Sequence, residues 1–141
     1  MIVSACLIGL KTRYDGSHSL DKKLVKFLKD KPFIPLCPEQ LGGLPTPRPK
    51  SEIVKGNGVD VIAGRSRVRD EYGRDVTTAF IRGAQEVLRI AKYCGAREAV
   101  LKEKSPSCGV RFIKRNGRTL KGAGVTTATL KKAGIKVKGA G

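Results

Sequence analysis

The sequence is poor in acidic residues, in aromatic residues and in long apolar runs. It has no tryptophan, one histidine and one methionine, and aromatic side chains make up 5% of its 141 residues. No apolar run approaches the roughly 20 residues that a membrane-spanning helix needs. The apolar N-terminus has no basic segment before it, which is unlike a secretion signal. We therefore expect a cytoplasmic protein.

The scarcity of acids leaves a strong positive charge. Against 12 Asp+Glu there are 29 Lys+Arg, which gives a formal net charge of +17, and residues 105–141 contain nine Lys/Arg and no acid. Such a segment fits either a polyanion such as RNA or a solvated face that keeps the protein soluble. Phe112 is its only aromatic residue, so a platform for stacking single-stranded bases is not indicated. The charge pattern leaves both interpretations open.

The order of apolar segments predicts one α/β domain over residues 1–141, with a mostly parallel sheet flanked by helices, as in Rossmann-like folds. Strands are predicted over 2–8, 33–37, 99–101 and 135–137. Helices are predicted over 20–30, 77–93 and 125–134. Ser19 is the predicted cap of the first helix, and Gly95 the left-handed residue that ends the second. Residues 38–49 contain too much proline and glycine for a helix or a central strand, and 51–75 suggest short strands and turns.

The four cysteines form no CxxC pair, and spacing alone favours four buried apolar thiols. Their positions relative to the strands add information. Cys6, Cys37 and Cys108 each lie at or just after the end of a predicted strand, so in a parallel sheet their thiols would converge at one edge. Three thiolates with a vacant fourth position suit zinc or an iron–sulfur cluster. Cys94 lies at a helix end, and we expect it to be structural.

Polar residues follow the same strand ends. Glu39, Ser105 and Ser107 lie close in sequence to Cys37 or Cys108, and Asp15 lies in the turn after Cys6. A carboxylate and a hydroxyl beside an open metal site could move protons and orient a substrate. Local hydrogen bonding is an alternative explanation for both serines, and for Asp15 a role as a turn former is favoured over a functional one. The lone His18 follows a turn and gives weak support for a Cys–His or Ser–His pair.

Three blocks of sequence resemble the DUF523 family of thiouracil desulfidases. They are Ser4-Ala5-Cys6-Leu7-Ile8-Gly9 with Arg13-Tyr14-Asp15-Gly16, the block from Pro35 to Arg48, and Lys102-Glu103-Lys104-Ser105-Pro106-Ser107-Cys108-Gly109. The resemblance implies release of sulfur from 2-thiouracil, giving uracil and hydrogen sulfide, at an oxygen-sensitive [4Fe–4S] cluster. By resemblance the ligands of that cluster are Cys6, Cys37 and Cys108. Many members have a further cysteine where this chain has Thr12, which makes position 12 an unsuitable ligand.

The chemistry of desulfuration needs groups that move protons, and we assign these roles to the polar residues near the cysteines. Glu39 is the expected general acid or base, Ser105 the expected group that holds the ring or relays a proton, and Ser107 and Asp15 are weaker candidates. Two alternatives remain: the same chemistry on 2-thiouridine in tRNA, and a non-enzymatic basic nucleic-acid-binding or cluster-sensor protein. The sequence does not fix the oligomeric state.

Overall fold

A four-stranded parallel sheet forms the centre of the protein. The computed structural model describes residues 1–141. The strands of this sheet are β1 (Ile2–Ser4), β2 (Ile34–Leu36), β5 (Glu98–Lys102) and β8 (Lys136–Ala140), in the order β2-β1-β5-β8. Every neighbouring pair is parallel, so the predicted α/β fold with a mostly parallel sheet is confirmed. No helix combines the length and the apolar character needed to cross a membrane.

Helices cover both faces of the sheet because side chains alternate along each strand. The helices are α1 (Lys22–Leu28), α2 (Pro38–Leu41), α3 (Gly58–Ile62), α4 (Thr77–Cys94) and α5 (Val125–Lys132). Ile2 shares a core cluster with Val87 of α4 and Leu130 of α5. Its neighbour Val3 faces the opposite way and shares a cluster with Leu24 of α1. The result is three layers, with α1 on one side and α4 and α5 on the other.

Two small antiparallel pairs flank the parallel sheet. They are β3 (Ser51–Ile53) with β4 (Val68–Asp70), and β6 (Phe112–Arg115) with β7 (Arg118–Lys121). A separate core cluster joins them to α4 through Ile53, Val68, Phe80 and Ile113. Residues 51–75 were expected to hold only strands and turns, but they also contain α3. The capping box between Asn57 and Asp60 starts this helix.

The first two predicted elements are shorter than expected. The strand predicted over 2–8 ends at Ser4 and continues as a 3₁₀ turn, Ala5–Ile8, which Gly9 ends in a left-handed conformation (φ 94°). Helix α1 begins later than predicted. The carboxylate of Asp21, not the hydroxyl of Ser19, accepts the hydrogen bond from Leu24 N that caps it.

The proline-rich segment contains a helix that the prediction for residues 38–49 excluded. Proline has no amide hydrogen, but the amide hydrogens in the first turn of a helix have no partner within the helix, so nothing is lost there. Pro38 therefore fits at the first position of α2. Pro35 lies in β2, which is an edge strand and has no partner on its outer side.

Glycines bring α2 and α4 together at backbone distance. A Cβ atom at Gly42 would overlap the carbonyl of Ala79, and a Cβ atom at Gly83 would overlap the carbonyl of Pro38. The absence of both side chains thus lets the short helix lie directly on α4. This contact fixes the position of α2 relative to the sheet.

Candidate active site

The three predicted ligand cysteines meet at the carboxyl end of the parallel sheet. Cys6 lies in the 3₁₀ turn after β1, Cys37 is the residue between β2 and α2, and Cys108 lies in the loop after β5. All three line one cavity of about 190 Å³. Strands β1 and β5 are neighbours whose connections leave in opposite directions, so the cavity lies where parallel α/β sheets commonly bind ligands.

The loop that carries Cys108 is held by backbone hydrogen bonds. Gly109 N donates to the carbonyl of Ser105 at 2.8 Å, and Thr126 N at the start of α5 donates to the carbonyl of Ser107 at 2.8 Å. The Thr127 hydroxyl donates to the carbonyl of Cys108 at 2.9 Å. The sheet and α5 together therefore fix the orientation of Cys108.

Burial raises the pKa of all three thiols. Burial raises the pKa of the Cys108 thiol to about 12, with smaller contributions from Cys37 and Cys6. Burial also raises the pKa of Cys6, and the nearby Cys37 raises it further. For Cys37, burial again raises the pKa, partly offset by hydrogen bonds to backbone N–H groups. The mutual effects of the thiols reflect how close together they lie.

The donor set fits an iron–sulfur cluster better than a single metal ion. No group of three or more His, Cys, Asp or Glu side chains surrounds one metal-ion position. A cubane cluster does not require that arrangement, since each of its irons takes its own thiolate. Three thiols around one cavity, with no histidine among the lining residues, fit a cluster with one iron free of protein ligands.

Glu39 projects from α2 into the same cavity and is held at both oxygens. Arg48 Nε donates to Oε1 at 3.2 Å, and the Ser107 hydroxyl donates to Oε2 at 3.0 Å. The exposed fractions of the Glu39 and Arg48 side chains are only 14% and 4%. The carboxylate is thus fixed in place and shielded from bulk water while it still faces the cavity.

The two candidate serines form one hydrogen-bonded chain that ends at Glu39. Their hydroxyl oxygens are 3.0 Å apart. Because an ionised carboxylate only accepts hydrogen bonds, the Ser107 hydroxyl donates to Glu39, and the Ser105 hydroxyl must then donate to Ser107. Ser105 lines the cavity, whereas Ser107 is buried behind it. The chain therefore runs from the cavity through Ser105 and Ser107 to Glu39.

Three other residues that the sequence analysis considered lie elsewhere. Asp15 is exposed in its turn, where its carboxylate accepts hydrogen bonds from the Ser17 amide and hydroxyl. His18 is also exposed, and its Nδ1 accepts a hydrogen bond from Leu20 N. Cys94, at the end of α4, is exposed and does not line the cavity. The structure does not bring Asp15 to the site.

Two features of the cavity were not predicted from the sequence. The first is Arg48, which was predicted only as the last residue of the block that begins at Pro35. A buried arginine is rare without a partner, so an arginine in a stiff proline-rich loop near the lone acid Glu39 was an available signal. The second is the cationic rim, formed by side chains from several separate segments: Arg13, Lys50, Lys102, Lys104 and Lys114.

Comparisons with known proteins agree with this arrangement over the whole chain. The family model described as 2-thiouracil desulfurase matches residues 1–140. YbbK of Bacillus subtilis (strain 168), described as an uncharacterized protein, is 43% identical over 140 residues, which cover 97% of this chain and 93% of YbbK. A solved structure of the [4Fe-4S]-dependent thiouracil desulfidase TudS is 40% identical, with a TM-score of 0.84, over 99% of this chain and 89% of TudS.

Proposed function

The chain belongs to the 2-thiouracil desulfurase family, and on that premise we propose that Cys6, Cys37 and Cys108 hold its cluster while Glu39, Ser107 and Ser105 carry protons. The protein is an enzyme of [4Fe–4S]-dependent thiouracil desulfuration. The observation that supports these residue roles is the hydrogen-bonded chain from Ser105 to Glu39 beside three converging thiols. A non-enzymatic cluster sensor is not favoured.

The reaction exchanges sulfur for oxygen without a change of oxidation state. Water and the thiocarbonyl give a carbonyl and hydrogen sulfide, so no reductant is needed. When bound, the cluster supplies an open iron that acts as a soft Lewis acid for the thiocarbonyl sulfur. The protein must then activate water and deliver a proton to the departing sulfur.

Glu39 is placed to accept the proton of the attacking water. Its carboxylate faces the cavity, and each of its oxygens has one protein donor, which leaves lone pairs for a further hydrogen bond. Arg48 fixes the orientation of this carboxylate through the ion pair with Oε1. A positioned acid–base group of this kind contributes about 100- to 10,000-fold to a rate.

The two serines connect Glu39 to the cavity. Once protonated, Glu39 is itself a donor, and rotation of the two hydroxyls reverses the chain, so that the proton can return through Ser107 to Ser105; each neighbouring pair of oxygens is 3.0 Å apart. Ser105 also accepts hydrogen bonds from Ser107 N at 3.2 Å and Cys108 N at 3.0 Å. These bonds hold its oxygen in place. Ser105 is therefore the group suited to contact the substrate ring or the departing sulfur.

The first experiment is anaerobic purification with iron and sulfide analysis, followed by assay with 2-thiouracil. We expect about four irons and four sulfides per chain, and one uracil and one sulfide released per 2-thiouracil consumed. Protein loaded with cluster that does not consume 2-thiouracil would contradict the proposed substrate. Protein that consumes it without iron would contradict the role of the cysteines.

A second candidate substrate is thiolated uracil within tRNA, and the cationic rim is the observation that favours it. The rim surrounds a cavity whose two lining acids, Glu39 and Glu103, already pair with Arg48 and Arg111. An anionic extension of the substrate would meet positive charge there. Parallel assays with 2-thiouracil and thiolated tRNA, each across a salt series, separate the two, because only the tRNA reaction should weaken steeply with salt.

A further inference from the structure

Arg48 is the most completely bonded side chain in the cavity wall. Its guanidinium has five N–H donors, and the five acceptors are Glu39 Oε1, Pro45 O, Thr46 Oγ1, Thr12 O and Cys37 Sγ. Its backbone N–H donates to the carbonyl of Tyr14 at 2.7 Å. The side chain therefore joins the acid of the site to one of its thiols.

We propose that Arg48 is a positioning residue that fixes Glu39 against the cavity and donates a hydrogen bond to the Cys37 sulfur, thereby raising the reduction potential of the cluster. The inference rests on the proposed function, because it takes Cys37 as a cluster ligand and Glu39 as the proton acceptor. It assigns to one buried residue both the geometry of the base and the electronic state of the metal site.

The contacts with Glu39 depend on the shape of the guanidinium. Nε contacts Oε1 at 3.2 Å, while Nη1 on the opposite side is held by Thr46 Oγ1 at 2.9 Å and Pro45 O at 3.3 Å. The proline-rich loop thus holds the planar group from behind. A lysine at this position would keep the charge but has neither the plane nor the five donors.

The contacts with Cys37 depend on the state of the thiol. As a thiol, Cys37 donates to Thr12 O at 3.7 Å, and Arg48 Nη2 donates to the same carbonyl at 2.9 Å. A thiolate bound to iron has no proton to donate, so its sulfur can only accept. Arg48 Nη2 lies 3.7 Å from that sulfur and is the side-chain donor available to it.

A hydrogen bond to a ligand sulfur has a measurable consequence. It withdraws electron density from the thiolate and favours the reduced cluster, and such bonds are among the factors that set the potentials of iron–sulfur proteins. Residues that support metal ligands in this way typically affect activity or metal affinity by about 10- to 100-fold. A residue that merely tied down the loop would change stability without changing the potential.

The test compares Arg48→Lys and Arg48→Gln with Arg67→Gln as a matched control. Arg67 pairs with Asp75 at 2.8 Å on the surface, away from the cavity. Each variant is loaded anaerobically and measured for iron content, thermal unfolding, the midpoint potential of the cluster by redox titration, and turnover. Arg48→Lys keeps the charge, which limits the risk that the variant fails to fold.

We expect a more negative potential in Arg48→Lys, a larger shift in Arg48→Gln, and no shift in Arg67→Gln. Turnover should fall about 10- to 100-fold in Arg48→Lys. When Arg48→Lys is introduced into a Glu39→Gln variant, most of this further loss should disappear, because the acid that Arg48 positions is then absent. An unchanged potential in cluster-loaded Arg48→Lys, or an undiminished loss in the Glu39→Gln background, would overturn the inference.

The potential is read without any substrate, which separates this inference from the proposed function. Wild-type protein that binds a cluster but does not act on 2-thiouracil contradicts the proposed substrate. The shift in midpoint potential then still tests the role of Arg48. Wild-type protein that binds no cluster overturns both. If Arg48→Gln does not fold, Arg48→Lys alone decides, because a lowered potential supports the inference and an unchanged one refutes it.

Discussion

The two ends of the parallel sheet hold the same kind of side chain in opposite surroundings. At the carboxyl end, three cysteines lie around one cavity with a fixed carboxylate and two serines. At the amino end, Cys94 is exposed at the end of α4 beside an open groove that includes Met1 and Phe33. The carboxyl ends of several strands bring separate segments together there, whereas Cys94 stands alone. The chemistry therefore follows from strand direction, and cysteine content alone does not reveal it.

Removal of single thiols should reveal the difference between the two ends of the sheet most clearly. We expect Cys6→Ala, Cys37→Ala and Cys108→Ala each to lose the cluster, because two thiolates hold it poorly. Cys94→Ala should keep it. Iron analysis and visible absorption after anaerobic loading give the answer. A Cys94 variant that loses as much iron as the other three would refute the proposed division between the two ends.

Substitutions in the hydrogen-bonded chain of Glu39, Ser107 and Ser105 should leave the cluster intact and reduce turnover. We expect Glu39→Gln to lower turnover of 2-thiouracil by about 100- to 10,000-fold, and Ser107→Ala and Ser105→Ala to lower it within the same range. The measurement is steady-state release of uracil by protein with a full complement of iron.

Two variants serve as controls for the proton chain. Ser66 is a buried serine outside the cavity, where its hydroxyl donates to the Lys55 carbonyl at 2.7 Å, so Ser66→Ala should lower stability and spare turnover. Asp15→Asn should spare turnover as well. Strong loss in Asp15→Asn, or normal turnover in Glu39→Gln, would show that the wrong acid has been assigned.

Glu103 stabilises the loop that follows β5 at the carboxyl end of the sheet. It is 7% exposed. Burial on its own would raise its pKa, but hydrogen bonds from the amides of Val110, Arg111 and Phe112 outweigh burial and lower it. Replacement by glutamine should lower the free energy of unfolding by about 1–3 kcal/mol at pH 7.

The pH dependence of that loss has a definite sign. Since the folded-state pKa lies below the unfolded-state value, the ionised Glu103 stabilises the fold above the unfolded pKa. The contribution disappears as the pH falls through the folded pKa. Denaturant unfolding of wild type and Glu103→Gln at neutral and acidic pH should therefore converge at low pH. A difference that grows on acidification would contradict this account.

The basic C-terminal segment should have the smallest effect on turnover of free 2-thiouracil. Of its nine cations only Lys114 lines the cavity. Lys131 and Lys132 lie in the last turn of α5, where they complement the helix dipole. Lys136 and Lys138 are exposed on β8, an edge strand, where lysines discourage pairing with other chains. Charge reversal to Glu at these four positions should leave turnover of 2-thiouracil unchanged.

Binding of tRNA by the variant with the four lysines reversed can be compared with binding by a variant of the cationic rim. If tRNA is a substrate, we expect Lys104→Glu at the rim to reduce the salt dependence of tRNA binding by about 0.7–0.9 in the log–log slope. The reversed C-terminal protein should bind tRNA much as wild type does. Loss of tRNA binding on reversal of those four lysines alone would instead assign the contact to the C-terminal segment.

The convergence of the cysteines could be predicted from sequence because it depends on regular structure. Strand ends can be located from apolar runs and turn residues, and parallel strands end at a common edge. The structure places Cys6, Cys37 and Cys108 there even though β1 ends earlier than predicted and Cys6 lies in a 3₁₀ turn. Small errors in strand bounds did not matter.

The pairing of Arg48 with Glu39 could not be predicted in the same way. It depends on how the loop after α2, which contains three prolines, folds back on that helix, and no periodic pattern encodes that path. The order of the serines was equally hidden. Ser107 contacts Glu39 directly and Ser105 faces the cavity, and the choice between them depends on rotamers rather than on sequence spacing.

The glycine contacts between α2 and α4 imply that part of the site is specified by residues with no side chain. Gly42 and Gly83 lie outside the cavity lining, yet they set how close the helix that carries Glu39 approaches its support. A library that varies only the lining residues would never sample them. One added methyl group at position 83 would push on the carbonyl of Pro38 and displace the helix that carries Glu39, so a substitution remote from the cavity lining would alter the acid–base geometry of the site.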